Sequence, residues 1–288
     1  MLHIIYNPVS GKKKATKNLV VVEEILKARG IAYETHATCE AHDGERIARD
    51  LTERGETEII VLGGDGTLHE VLNGLVDPSV CTIGLVPSGT GNDFASCVGL
   101  SLDPEKAMQV ILDGEAKNTD YIEVSDRRCM NVGGIGMDVD VLERYLRGKN
   151  QTKIKYFLCL LKSVFAFKGY PVTVIIDGKE ERHNALLVDY CNGKVYGGGI
   201  PICPQAEVAD GKISALVVDA IKGKFALIKT LLKLMKGKIL ESPKAHYYLC
   251  DELIVKPDNP CIVQCDGELY PNLNFHAKIK TGLKFYRP

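Results

Sequence analysis

The segment EIIVLG (58–63) is apolar on four successive positions, Ile59 to Leu62, rather than on alternate ones. A strand of that kind is covered on both faces, as happens where parallel strands are joined by crossover helices. The neighbouring segments repeat the arrangement. LHIIYN (2–7) reads as a strand and TKNLVVVEEILKARG (16–30) as an amphipathic helix closed by Gly30. IAYETHAT (31–38) reads as a second strand, followed by a helix from Asp43 to about Arg54. After the third strand come a helix over 68–76, a fourth strand TIGLVP (82–87) and a helix over 103–113. Strand and helix in alternation imply a parallel sheet with helices on both sides.

Beyond about residue 120 the pattern changes. DYIEVS, RCMNVGG, VTVIIDGKEERHNALLVDYCNG, KISALVVDAI, ELIVKP and CIVQCDGELY are short strands broken by Asp-Gly and Asn-Gly turns, the signal of hairpins. Helical segments interrupt them at roughly 140–168 and 222–239. The fold class expected is α/β plus β. An N-terminal parallel-sheet domain over 1–120, rejoined by 276–288, precedes a C-terminal antiparallel β-sandwich domain over 121–275. The cleft between such halves is where ligand sites concentrate.

Ligands of open α/β sheets bind beyond the carboxyl ends of the strands. Three predicted strands end there in unusual loops: NPVSGKKK (7–14), GGDGT (63–67) and PSGTGND (87–93). Glycines admit a ligand close to the backbone, and successive N–H groups at a helix start bind anions. Thr67 and Thr90 add hydroxyls, Lys12 to Lys14 add positive charge, and Asp65 and Asp93 offer hard oxygen ligands. Together these describe a polyphosphate–Mg²⁺ site. Taken singly, each loop is equally a turn that glycine allows, and the coincidence of three at one sheet edge favours the ligand.

The common fingerprints are absent. There is no G-x-x-x-x-G-K-[ST], no G-x-G-x-x-G after a strand, no G-x-S-x-G and no H-E-x-x-H. A formal net charge of −1 gives no excess that points to nucleic acid. No apolar run reaches the ~18 residues of a membrane span. The start, MLHIIYNPVSGKKK, lacks the layout of a signal peptide. Ten cysteines scatter without a C-x-x-C pair, as reduced and mostly buried thiols of a cytoplasmic protein would.

Six motifs in order, YNPVSGKKK, GGDGTLHEVLNGL, PSGTGNDFA, NVGGIGMDVDV, GGGIPICPQAEVADGKI and VQCDGELY, closely resemble those of the diacylglycerol kinase catalytic family. That family includes bacterial soluble lipid kinases and sphingosine kinases. The resemblance runs from about residue 3 to 270, and PSGTGNDFA with CDGE is its most specific part. It implies an ATP- and Mg²⁺-dependent lipid kinase acting on diacylglycerol or a related lipid. Asn7, Pro8, Ser10, Gly11 and Lys12 would form the first nucleotide loop, and Thr38 matches a threonine that contacts the nucleotide. Gly63, Gly64, Asp65, Gly66, Thr67 and Glu70 would wrap the phosphates, with Gly89, Thr90, Asn92 and Asp93 completing the cradle. Asp65, Asp93 and Asp120 would organise Mg²⁺, although Asp120 reads equally as a surface turn residue before YIEV.

The resemblance makes Asp266 and Glu268 of CDGE the base and its orienter toward the lipid hydroxyl, with either carboxylate eligible for the proton. The residues alone read as a type I′ hairpin at Asp-Gly. Glu207, Asp210 and Lys212 of PQAEVADGKI match a structural Mg²⁺ loop, Lys212 through its carbonyl only, since an ammonium is no ligand. A plain Asp-Gly hairpin is the alternative. Ser96 stands where many members carry arginine. Segment 221–240 carries six lysines and no acid among apolar residues. Its leucines are expected to pack on the β-domain while the lysines steer the protein to anionic lipid at the inner face of the membrane. Segment 154–170, nearly as apolar, reads as the lining of an acyl-chain pocket or as ordinary core, with core the favoured reading. A homodimer is compatible with the family pattern. Two other classes remain open: a small-molecule kinase of the NAD kinase type, and a nucleotide-binding regulator without catalysis.

Overall fold

The apolar runs of the amino-terminal half become parallel strands. The computed structural model describes residues 1–147 and 152–288. By internal packing the chain divides into two units, Met1–Tyr121 with Thr281–Pro288, and Ile122–Lys280. The first unit contains β1 (Leu2–Tyr6), α1 (Ser10–Ala28), β2 (Tyr33–Ala37), α2 (Asp43–Glu53), β3 (Glu58–Gly63), α3 (Asp65–Gly74), β4 (Thr82–Pro87), α4 (Asp93–Cys97), α5 (Pro104–Asp113) and most of β5 (Ala116–Val124). Its strands run in the order β2, β1, β3, β4, all parallel. Lys284 and Phe285 add a parallel strand alongside Thr82 and Ile83.

Alternation of side chains along each strand divides the apolar residues between two faces. On one face Leu2, Ile4, Ile60, Leu62 and Val86 pack under Ala15, Val22 and Leu26 of α1 and Ala107, Met108 and Ile111 of α5. Each large side chain buried here stabilises by roughly 1.5–3 kcal/mol. The intervening Ile5, Ile59 and Val61 are equally buried. On their side α2 packs on β1 and α3 on β3. Phe285 is wholly buried and meets Phe94 edge to face at 5.2 Å.

The second unit contains β6 (Arg127–Cys129), β7 (Val132–Gly136), α6 (Met137–Leu146), α7 (Lys153–Ala166), β8 (Tyr170–Ile176), β9 (Lys179–Cys191), β10 (Ile213–Asp219), α8 (Lys224–Met235), β11 (Ala245–Cys250), β12 (Glu252–Pro257), β13 (Ile262–Cys265), β14 (Glu268–Pro271) and the first half of β15 (Phe275–Tyr286). Its pairings are antiparallel, as the hairpin signals lead one to expect. The long strand β9 is the spine. Residues 179–185 pair with β8, residues 187–191 with β7, and β10 runs along the other edge. One apolar core, with Ile122, Ile135, Val174, Val188, Val217 and Leu253, lies between sheet faces. A second lies under the helices, joining Leu187, Leu216 and Ile202 to Val141, Leu160 and Leu234.

Several boundaries differ from the sequence pattern. Helix α3 begins at Asp65 rather than 68, so the glycine turn is itself the helix start. Helix α1 begins at Ser10 rather than 16, through a left-handed turn at Gly11, Lys12 and Lys13. The expected helix over 140–168 has its middle, 148–151, outside the described residues, and its flanks are α6 and α7. Helix α8 buries only part of its apolar side. Leu227, Leu231 and Leu234 pack on the core, whereas Phe225, Ile228, Leu232 and Met235 are exposed. Segment 154–170 divides likewise: Tyr156, Cys159, Leu160 and Val164 are core, while Ile154, Phe157, Leu158 and Phe165 face outward. The expectation that the leucines of 221–240 pack on the β-domain therefore holds for Leu227, Leu231 and Leu234 and not for Leu232, and the expectation that 154–170 is core holds for about half of it. A cavity of about 30 Å³ remains beneath α8, lined by Met137, Leu186, Ile202 and Leu231 among others. That is room for about one water, not for an acyl chain. Among the described residues no helix is long and apolar enough to cross a membrane. The ten cysteines are free thiols, most of them buried.

Candidate functional site

Three loops leave the carboxyl ends of β1, β3 and β4, and they interlock through backbone. A Cβ on Gly64 would lie 2.8 Å from the Cα of Gly89, and one on Gly89 would lie 2.5 Å from the Cα of Gly64. Neither position admits a side chain. A Cβ on Gly11 would fall 2.1 Å from the Ser88 carbonyl oxygen. Ser88 N–H donates to the Gly63 carbonyl at 2.7 Å, and Asn18 donates to the Ser88 hydroxyl at 2.8 Å. The GGDGT glycines thus bring two strand ends into contact and open the first turn of α3.

Within the first loop, Asn7 Oδ1 accepts from Val9 N–H at 3.1 Å, an Asx turn that also carries Pro8. Ser10 Oγ donates to Ser88 O at 3.4 Å. Lys12 and Lys13 adopt φ of 58° and 71°, a conformation uncommon for a side-chain-bearing residue. In the third loop, Asn92 exchanges hydrogen bonds with the backbone N–H and carbonyl of Gly89 at 2.8 and 3.0 Å. Thr90 is exposed at its tip.

Asp65 links the second loop to the third. Its carboxylate oxygens accept from the N–H groups of Asp93 and Phe94, both at 3.1 Å, at the start of α4. Position 91 shows how close the two acids come. A Cβ on Gly91 would lie 3.0 Å from Asp65 Oδ2 and 3.4 Å from Asp93 Oδ2. Gly66 and Thr67 lie in the first turn of α3, with Thr67 buried. Asp120 is buried within β5, so the surface-turn reading of it fails.

Glu70 stands on α3 and reaches α2. Its carboxylate accepts from His42 N–H at 3.0 Å and Gly44 N–H at 2.9 Å, at the amino end of α2. It positions that helix. Asp43 continues the chain of contacts by accepting from Cys39 N–H at 2.8 Å and Glu40 N–H at 3.2 Å. Those donors, the Cys39 N–H foremost and then the Arg46 guanidinium, hold the Asp43 carboxyl below the usual range. Thr38, buried, bonds through its N–H to the Tyr6 carbonyl at 2.9 Å. Thr38 is thus tied to the end of β1, and the two acids hold the backbone that follows it.

In the second unit the Asp266-Gly267 turn has φ of 51° and 92°, the type I′ geometry that the dipeptide predicts, between β13 and β14. The turn is not only a turn. Asp266 accepts from Met130 N–H at 2.7 Å, Asn131 N–H at 2.8 Å and the Cys129 thiol at 3.0 Å, fixing the link from β6 to β7. Glu268, the first residue of β14, is exposed. Glu207 and Asp210 are exposed in the loop before β10, where Asp210 accepts from Lys212 N–H at 3.0 Å. The Lys212 ammonium pairs with Asp251 at 2.7 Å.

The sequence did not single out Asp138 and Asp189. Both are buried, and their four carboxylate oxygens have no hydrogen-bond partner. Burial pushes Asp138 up to about 6. Burial, and then the charge of Asp138, pushes Asp189 well up. The one available sign was a lone carboxylate in an apolar strand, ALLVDYC.

The Diacylglycerol kinase catalytic domain model matches residues 1–124, and the YegS C-terminal NAD kinase beta sandwich-like domain model matches residues 132–283. The Diacylglycerol kinase of Mycobacterium tuberculosis is 28% identical over 269 residues, covering 91% of this chain and 84% of that one. The Diacylglycerol kinase of Bacillus subtilis is 28% identical over 272 residues, covering 92% and 88%. A crystal structure of a diacylglycerol kinase from Bacillus anthracis shares the fold, with a TM-score of 0.81 at 24% identity over 100% of this chain and 96% of that one.

The buried acids give a pH prediction. A carboxyl whose folded pKa is raised stabilises fully below its unfolded value, near 3.9, and that contribution is lost as pH rises through about 6. Asp138→Asn should therefore gain on wild type by roughly 2 kcal/mol between pH 4 and pH 7.5. Urea unfolding of both proteins at the two pH values measures this. An identical difference at both would show that Asp138 does not titrate there.

Proposed function

Because the chain belongs to the diacylglycerol kinase catalytic family, we propose that it transfers the γ-phosphate of ATP to a hydroxyl of diacylglycerol or a related lipid. What carries this reading is the interlocked set of loops at β1, β3 and β4 in a chain matched by the family along both units. Loops whose backbones touch at glycine leave N–H groups uncovered by side chains, which suits a polyphosphate. The loop residues Asn7, Pro8, Ser10, Gly11, Lys12, Gly63 to Thr67 and Gly89 to Asp93, with Thr38 beside them, hold the nucleotide. Glu70 acts on it through α2 rather than by contact.

The acids suit a hard cation. Asp65 and Asp93 carboxylates lie together around Gly91, and oxygen donors of this kind hold Mg²⁺, with Asp120 as a further ligand through water. When bound, Mg²⁺ neutralises charge on the phosphate oxygens. Glu207, Asp210 and the Lys212 carbonyl form a second, structural loop for the same ion. The rest of phosphoryl transfer is positioning and a base for the incoming hydroxyl. Glu268 is that base. Asp266 is engaged by three donors of the link 129–131, so it positions that link and the hairpin that carries Glu268.

The exposed faces of α7 and α8 supply the contact with the lipid surface. Phe225, 92% exposed, and Leu232 stand out among the lysines 222, 229, 233, 236 and 238. Apolar residues enter the headgroup boundary and lysines meet anionic lipid there, which makes the protein peripheral to a membrane. The NAD kinase-type reading has only the related sandwich in its favour, and the amino-terminal match and the relatives speak for the lipid kinase.

Three measurements check this. Labelled ATP and Mg²⁺ are expected to phosphorylate a lipid in mixed micelles and not NAD, and label on NAD alone would overturn the assignment. Glu268→Gln is expected to lower kcat by roughly 10²–10⁴-fold with little change in KM for ATP. A variant turning over at the wild-type rate would remove Glu268 from the chemistry. Phe225→Asp with Leu232→Asp is expected to abolish flotation with anionic vesicles while activity on a short-chain soluble lipid persists. Undiminished flotation would make the α7–α8 face structural only.

A further inference from the structure

We propose that His3, Glu34 and His36 form a binding site for a divalent ion of the zinc class, tying β2 to β1. The parallel register pairs His3 with Glu34 and Ile5 with His36, so period-two alternation brings all three side chains to one face. His3 Nδ1 and His36 Nε2 lie 3.1 Å apart. Glu34 Oε2 lies 3.6 Å from the first and 3.9 Å from the second. The two longer separations exceed a hydrogen bond. The point equidistant from all three atoms is about 2.1 Å from each, which is the bond length of zinc to imidazole nitrogen and carboxylate oxygen.

Protonation points the same way. His3 is buried, and its other ring nitrogen, Nε2, faces Glu56 Oε2 at 3.3 Å. The two atoms are not aligned as a hydrogen bond, and Nε2 is a buried ring nitrogen without one. The Glu56 charge beside it favours the tautomer protonated at Nε2, which leaves the Nδ1 lone pair on the side of His36 and Glu34. A carboxylate behind the far nitrogen of a ligating histidine is the usual support of such sites. Two imidazoles select zinc, cobalt or nickel over Mg²⁺ or Ca²⁺, which prefer all-oxygen sites.

The second histidine cluster offers a contrast. His183 and His246 each lie 3.1 Å from an oxygen of Asp219. There both imidazoles are hydrogen-bonded to the shared carboxylate, whereas in the first cluster the two imidazoles are within hydrogen-bond distance of each other and Glu34 is bonded to neither. Among the described residues strand β2 ends the sheet, bonded only to β1, and Thr38 follows His36 by two residues. An ion at this site therefore fastens the edge strand that carries Thr38.

The test is titration of the chelator-treated full chain with Zn²⁺ in millimolar Mg²⁺ by calorimetry, with Co²⁺ absorption as the spectroscopic readout. One ion per chain is expected, with tetrahedral d–d bands and no thiolate charge-transfer band. His36→Ala should weaken binding at least 100-fold, and Glu34→Gln and Glu56→Gln by about 10-fold. Glu34 is half exposed, so its variant keeps the test valid if His36→Ala fails to fold. Cys39→Ser, removing an exposed thiol nearby, should bind as wild type does. Absence of binding at micromolar Zn²⁺, or binding lost in Cys39→Ser but kept in His36→Ala and Glu34→Gln, would overturn the proposal.

Discussion

The contact of Gly64 with Gly89 is the constraint on which the first unit depends. Two strand ends approach until their α-carbons exclude any substituent, and the elements that follow are arranged from that point. Helix α3 starts one residue after Gly64, and its Asp65 reaches across to the first two N–H groups of α4. Helix α4 is only five residues long, too short to be stable by itself. The charge of Asp65 at its amino end and the burial of Phe94 hold it in place. The acid that orders the third loop is thus supplied by the second. A change at either glycine is felt at the acids without touching them.

How much of this the sequence discloses depends on the range of the interaction. Strands β1, β3 and β4 were legible because their burial on both faces leaves consecutive apolar residues. The Asp266-Gly267 turn was legible because type I′ geometry selects that dipeptide locally. The start of α3 was misplaced because Gly66 and Thr67 are weak helix formers, and tertiary contact overrides that preference. The left-handed turn at Lys12 and Lys13 left no sign, since lysine has no preference for positive φ. Nor could the sequence show that Asp266 serves the link 129–131, since the partners lie about 135 residues apart. For the same reason the sequence could not show that Glu70 reaches the amino end of α2. Periodicity identified α8 as amphipathic but could not say how much of its apolar side finds a partner.

The acids of the second unit show a division of labour. Asp266 is surrounded by donors and holds backbone in place, Glu268 stands exposed two residues on, and Asp138 and Asp189 are buried without partners. Like charges in an apolar interior do not both ionise readily, so the buried pair favours its protonated forms. Three environments within one β-rich unit therefore give the same functional group three different chemistries. The glycines 133 and 134 fit this picture. A Cβ on Gly134 would lie 2.3 Å from Asp189 Oδ1, and one on Gly133 would lie 2.0 Å from the hydroxyl of Tyr190. The motif NVGG is shaped around that buried acid and its neighbour.

The path of the chain has a consequence for its synthesis. The second unit is one continuous stretch, Ile122–Lys280, set within a first unit that is completed by Thr281–Pro288. Phe285 fills the first unit's core against Phe94, and Phe285 and Lys284 extend its sheet beside β4. On the ribosome, residues 1–121 emerge before the strand within 281–288 that extends their sheet, whereas the two apolar cores of the second unit draw only on residues 122–280. The unit made first is therefore the one finished last. Until then one edge of β4 lies open while the other is paired with β3, and residues 281–288 act as its closing seam.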